Sequence, residues 1–192
     1  MTVIAAAVTK KDGVVFASDS ELTNDFTKYN EGYSKVWAVE SHRYVFGACG
    51  SLRVMQVIKH WTTWPYFRDD AIDIEEFVVK EIIPTLRETL AEHACLEVNK
   101  KTESFEGEIM MAWDDNLAVI DSSFSVILPL SKRYAIGSGQ SEALGSLGIS
   151  GSYTKNNVIE AARKASYTAI GVGGPIWCVS TKTMKVEKVL ES

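Results

Sequence analysis

At 192 residues with 46% hydrophobic content, the chain is long enough to bury a proper core and lacks the composition of a disordered one, so one domain over residues 1–192 is expected. Its formal net charge is -5, and Lys10 with Lys11, Lys100 with Lys101 and Lys132 with Arg133 are isolated pairs rather than a basic stripe, which argues against nucleic-acid binding. Cys49, Cys95 and Cys178 are odd in number and form no C-x-x-C pattern, so neither a disulfide framework nor a zinc site is expected and a reducing cytoplasm fits. The start lacks a basic n-region and a cleavage site, and no apolar run nears the roughly 20 residues that span a bilayer, so no membrane association is expected.

The first apolar segment begins directly after Met1, with a strand from Thr2 to Val8. A turn through Asp12 and Gly13 leads to a second strand, Val14 to Ser18, and the pair reads as a hairpin. Glu21 to Gly32 is polar without a period and reads as a loop. Lys35 to Val39 and Tyr44 to Cys49 then read as a second hairpin. From Ser51 to Trp61, Leu52, Met55 and Ile58 recur at helical spacing, and Pro65 limits that helix. Trp61, Trp64, Tyr66 and Phe67 form an aromatic cluster that suits packing under a loop or a subunit contact better than a ligand box.

Asp73 with Glu76 resembles a capping box, and Ile74, Val78, Ile82, Leu86, Leu90 and Ala94 continue at four-residue spacing, predicting the longest helix with a kink at Pro84. Glu108 to Ala112, Leu117 to Asp121, Ser125 to Leu130 and Tyr134 to Ser138 read as strands. Asp114, Asp115 and Asn116 suit an exposed turn better than a metal site. A short helix over Gln140 to Leu147, a break at Gly148 to Gly151 and a helix capped by Asn157 and Glu160 follow, with Val158, Ala161, Ala162 and Ala165 on its packing face. Pro175 to Thr181 and Lys185 to Leu190 make a last hairpin. Strands, two helices, strands, two helices and strands, without β-α-β repetition, imply an α+β fold of two sheets between helix layers.

Thr2 at the head of a buried strand is a positioned hydroxyl. Once Met1 is removed it carries both an Oγ nucleophile and an α-amine of reference pKa about 8, able to act as general base. Such a site also needs a fixed cation and a carboxylate to hold it, and Lys35 and Asp19 are the candidates. Thr2, the segment Gly13 to Asp19 and Lys35 together resemble the opening of proteasome β-subunits and their bacterial HslV-type relatives. Phe46 to Gly50 ahead of one helix and Tyr134 to Gly139 ahead of another extend the resemblance through most of the chain.

The resemblance implies the four-layer α-β-β-α sandwich of N-terminal-nucleophile hydrolases and a threonine peptidase that needs no cofactor or metal. It assigns Thr2 as nucleophile, Asp19 and Lys35 as the charges that tune it, Gly50 as the backbone N–H donor to the oxyanion, and Ser138 as the hydrogen-bond partner of the terminal amine. It also implies a homo-oligomeric ring acting on peptide or unfolded protein, with an unfoldase or cap as a possible partner. Taken singly, these residues have plainer readings: a β-branched strand residue, a polar pair at strand ends worth little energy, a turn glycine and a helix-capping serine.

One departure from the family pattern concerns Ala169 and Val172, which stand where proteasome subunits carry an Asp and a Ser that orient the amine. A retained Met1 would likewise acylate the amine and remove the base. Both features fit the alternative of a catalytically inactive ring or scaffold subunit. His42, His60 and His93 lack metal-ligand spacing, and no G-x-S-x-G elbow, phosphate loop or dinucleotide fingerprint is present. Cys49 is left as the nucleophile of a rival Cys-His reading.

Overall fold

The computed structural model describes residues 1–24, 27–29, 32–67, 73–99, 101–148 and 152–189. Strands β1 (Ile4–Thr9) and β2 (Gly13–Ser18) form the first hairpin, and β3 (Leu22–Asn24) with β4 (Thr27–Tyr29) a small second one. Next come β5 (Val36–Val39), β6 (Tyr44–Gly50) and helix α1 (Leu52–Trp61). A long helical stretch runs through α2 (Ile74–Phe77), a π-helical segment at Val78–Ile82 and α3 (Ile83–Glu92). β7 (Glu97–Asn99) and β8 (Thr102–Ser104) precede β9 (Gly107–Trp113), β10 (Asn116–Ile120), β11 (Val126–Ile127) and β12 (Arg133–Ile136). The chain closes with α4 (Gln140–Leu147), α5 (Lys155–Thr168), β13 (Trp177–Ser180) and β14 (Glu187–Lys188).

Two antiparallel five-stranded sheets result, one in the order β12-β1-β2-β13-β14 and the other β11-β10-β9-β6-β5. Side-chain alternation decides how they stack. On β1 and β2, Ile4, Ala6, Val14 and Phe16 meet Val45, Met110 and Ala112 of the other sheet, forming the central core. The opposite faces, Val3, Ala5, Ala7, Val15 and Ala17, take Val158, Ala161, Ala162 and Ala165 of α5 together with Ala143 of α4. Small residues on both sides let the helix axis come close to the sheet. On the far side of the second sheet, Phe46, Ala48, Ile109 and Met111 pack on Val54, Ile58, Ile82, Leu86 and Leu90. The molecule is thus an α-β-β-α sandwich, and its central strands read as continuous apolar runs because both faces are covered.

Several boundaries differ from the sequence reading. Glu21 to Gly32 is not wholly loop: β3 and β4 pair with each other, a local ladder too polar and short to leave a period. β7 and β8 form a further two-stranded ribbon that sequence periodicity did not reveal, since β7 is exposed on every residue. At Pro84 the helix widens rather than only bending. The Ile83 N–H donates to Val78 O five residues back, which makes room for the proline ring within one continuous helical run. The cap of α5 is Thr154, whose hydroxyl accepts from Asn157 N while Asn157 Oδ1 accepts from Thr154 N, so Asn157 is the third helical residue of a capping box and Glu160 has no capping role. Strands expected over Ser125 to Leu130 and Lys185 to Leu190 shrink to two-residue bridges. The break at Gly148 to Gly151 lies, beyond Gly148, outside the described residues. The aromatic cluster divides: Trp64 stacks on Phe46 in the core, while Trp61 and Tyr66 are exposed. No helix among the described residues is long and apolar enough to cross a membrane.

Candidate active site

Thr2, Asp19, Lys35 and Ser138 meet because they flank neighbouring strand ends: Thr2 before β1, Asp19 after β2, Lys35 before β5 and Ser138 after β12. Thr2 lies two residues ahead of the strand that was expected to include it. It is nonetheless buried and fixed, because Gly139 N donates to Thr2 O at 3.1 Å and Asp19 N donates to Val3 O at 3.2 Å. Gly137 permits this close passage: its φ is +89° and a Cβ there would collide with the Thr2 carbonyl oxygen.

The Asp19 carboxylate is saturated with donors. Oδ1 accepts from Val3 N at 2.9 Å, Oδ2 accepts from Glu21 N at 3.2 Å and Gly173 N at 3.3 Å, and Lys35 Nζ stands 2.9 Å from both oxygens. Lys35 Nζ also donates to Met1 O at 3.1 Å, and Thr2 Oγ1 donates to that same oxygen at 2.7 Å. Thr2 N donates to Ser138 Oγ at 3.1 Å. Ser138 therefore caps no helix. Gly139 is the residue before α4 and, as a glycine, has no side chain to cap it. Asp19 and Lys35 are 0% and 1% exposed, so the reading of a solvated polar pair does not hold.

Burial disfavours the ionised form of both partners, lifting Asp19 and lowering Lys35, while their mutual attraction acts in the opposite direction on each. The result is a cation poised to lose its proton more readily than a solvated lysine, placed beside the Thr2 hydroxyl. A cleft of about 300 Å³ opens over it, lined by Met1, Thr2, Glu21, Thr23, Gly50 and Met55 among others. Gly50 ends β6 with φ +98° and its backbone is exposed at this cleft, while a Cβ would stand 2.5 Å from Glu106 O. Such geometry suits a main-chain donor at the site.

Cys49 is a poor nucleophile here. Burial, with the Glu108 carboxylate next to it, pushes its thiol up to about 12, and Sγ lies 3.7 Å from Glu108 Oε2. Val172 is buried in the core beneath α5 and Ala169 packs against it, so neither offers a polar group to the site. Three contributors went unseen in the sequence: the Gly139 and Gly173 amides and the buried Glu21. Backbone donors leave no residue signature, and Glu21 opens a stretch without periodicity.

No protein-family model matches the sequence, and no curated protein matches it. Solved structures do. A Thiobacillus denitrificans BPH in complex with epoxomicin aligns with TM-score 0.70 and 19% identity over 99% of this chain and 100% of that one. Another structure of Thiobacillus denitrificans BPH gives 0.71 and 18%, covering all of both chains. The eukaryotic HslV of Trypanosoma brucei gives 0.60 and 18% over 93% of this chain and 99% of that one. The chain has the proteasome-like N-terminal-nucleophile hydrolase fold of these proteins.

Proposed function

We propose that the protein is a threonine peptidase whose nucleophile is Thr2 after removal of Met1. The observation that carries the reading is the convergence of the Thr2 hydroxyl, at 2.7 Å, and the Lys35 ammonium, at 3.1 Å, on one peptide carbonyl oxygen. In the mature chain, Thr2 Oγ attacks a substrate carbonyl as its proton passes to the Thr2 amine. Lys35, held by Asp19, lowers the cost of the developing alkoxide, and the Gly50 N–H receives the oxyanion. Ser138 orients the amine, which protonates the departing peptide amine. The ester left on Thr2 is hydrolysed by water activated by the same amine, releasing the acid and restoring the hydroxyl. Peptide or unfolded protein is the substrate, and a homo-oligomeric ring, with an unfoldase or cap as partner, is the assembly that would confine such a site.

Intact-mass analysis of protein made in cells tests the first step: loss of Met1 is expected, and complete retention contradicts the reading. Ala169 and Val172 favour the second reading, a ring or scaffold subunit that keeps the fold without the reaction, because both are apolar where the resembling family orients its amine. Retained Met1 together with ring assembly would select it.

A further inference from the structure

Removal of Met1 would place a second positive charge in a buried site whose known acid is already committed. Thr2 is 3% exposed, the Lys35 ammonium is its neighbour, and the Asp19 contacts are taken by Lys35 and three amides. Among the described residues that line the cleft, Glu21 supplies a carboxylate. It is 4% exposed, and its Oε1 is met by the exposed Lys28 on β4, whose Nζ stands 3.2 Å from that oxygen in an ion pair. Its Oε2 lies over Gly173, where a Cβ would come within 2.6 Å. A buried carboxylate is costly unless charged partners meet it, and the Lys28 side chain that meets Glu21 is 69% exposed. Glu21 also acts electrostatically on Lys35, favouring its charged form, so its field reaches the site.

We infer that Glu21 is the counter-charge of the Thr2 α-amine in the chain that begins at Thr2, a positioning residue that sets the pH at which the amine becomes a base. The inference rests on the removal of Met1 proposed above. Among the described residues, the titratable groups that act on Lys35 beside the amine include Asp19 and Glu21 beyond β2 and Cys49 on β6; Lys28 on β4 pairs with Glu21, Glu108 on β9 lies against Cys49, and the Cys49 thiol stays neutral. Lys35 drives the amine toward its neutral form. Glu21 opposes it and keeps the amine protonated to higher pH.

Protein released from a cleavable fusion so that it starts at Thr2 provides the test. The pH midpoint of α-amine acetylation by trace acetic anhydride is read by mass spectrometry on the folded chain. Glu21→Gln is expected to lower that midpoint by about one pH unit, and Lys28→Gln, which removes the competitor for Glu21, to raise it. Lys28 is exposed, so its variant decides the matter should Glu21→Gln fail to fold. Midpoints unchanged in both variants, or moved in the opposite senses, would overturn the inference. A peptide epoxyketone run in parallel separates the two readings: a moving midpoint without labelling refutes the peptidase and keeps the counter-charge, and labelling with a static midpoint does the reverse.

Discussion

Because Lys35 and Asp19 are both sealed from solvent, the pair proposed to tune Thr2 also bears on folding. Lys35→Met leaves the Asp19 carboxylate with amide donors alone, and loss of one partner of a buried pair costs about 3–5 kcal/mol. The double variant Asp19→Asn with Lys35→Met keeps the shape without a lone charge and is expected to recover part of that loss in urea titration. Equal stability of single and double variants would contradict this pairing. Both variants are expected to lose electrophile labelling by about a hundredfold to a thousandfold. Thr2, Asp19 and Lys35 could be proposed from the sequence because each contributes a side chain at a strand end, whereas Ser138 was reached only through the family resemblance, its plain reading being a helix cap. Glu21 could not, since only the folded loop brings it to the cleft, and the Gly139 and Gly173 amides could not because their contribution is backbone alone.

Among the elements, the packing faces were legible and the ends were not. Val158, Ala161, Ala162 and Ala165 announce the buried stripe of α5, yet its start depends on which oxygen reaches which amide, and Thr154 takes that place. Thr154→Ala is expected to cost about 1 kcal/mol in thermal or urea unfolding, and no measurable change would deny the cap its role. The turn between β10 and β11 is organised by Asp121, whose Oδ1 accepts from the amides of Ser123 at 2.8 Å and Ser125 at 2.9 Å. Partial burial acts to raise its pKa, but the Ser123 and Ser125 hydrogen bonds prevail and hold it below the usual carboxylate range. A depressed folded-state pKa means that this contribution is whole above about pH 4 and is lost as the pH falls through the folded value. Asp121→Asn should therefore lower stability near neutrality and narrow its gap to wild type as acid is added. A gap that stays constant with pH would count against the charge.

Across the molecule, large side chains on two sides stand exposed among the described residues. Trp61 and Tyr66 are 63% and 62% exposed beside His93 and His42, while Tyr167 on α5 and Ile170 just after it are 77% and 83% exposed. Periodicity could not separate Trp61 from Trp64, because both lie at the same end of α1 and only the stacking on Phe46 draws one of them inward. Aromatic exposure of this extent suits contacts between copies of the chain. Light scattering at micromolar concentration is expected to report a mass of several chains, and a clean monomer over a broad concentration range would contradict the ring.

Thr2 is proposed as the reacting residue. The most direct measurement of that role is covalent labelling of the chain that begins at Thr2 by a peptide epoxyketone, mapped by mass spectrometry on wild type and Thr2→Ala. One adduct on Thr2, absent from the Thr2→Ala variant, is the expected result. An adduct on Cys49, or none on the Met1-free wild type, would contradict it.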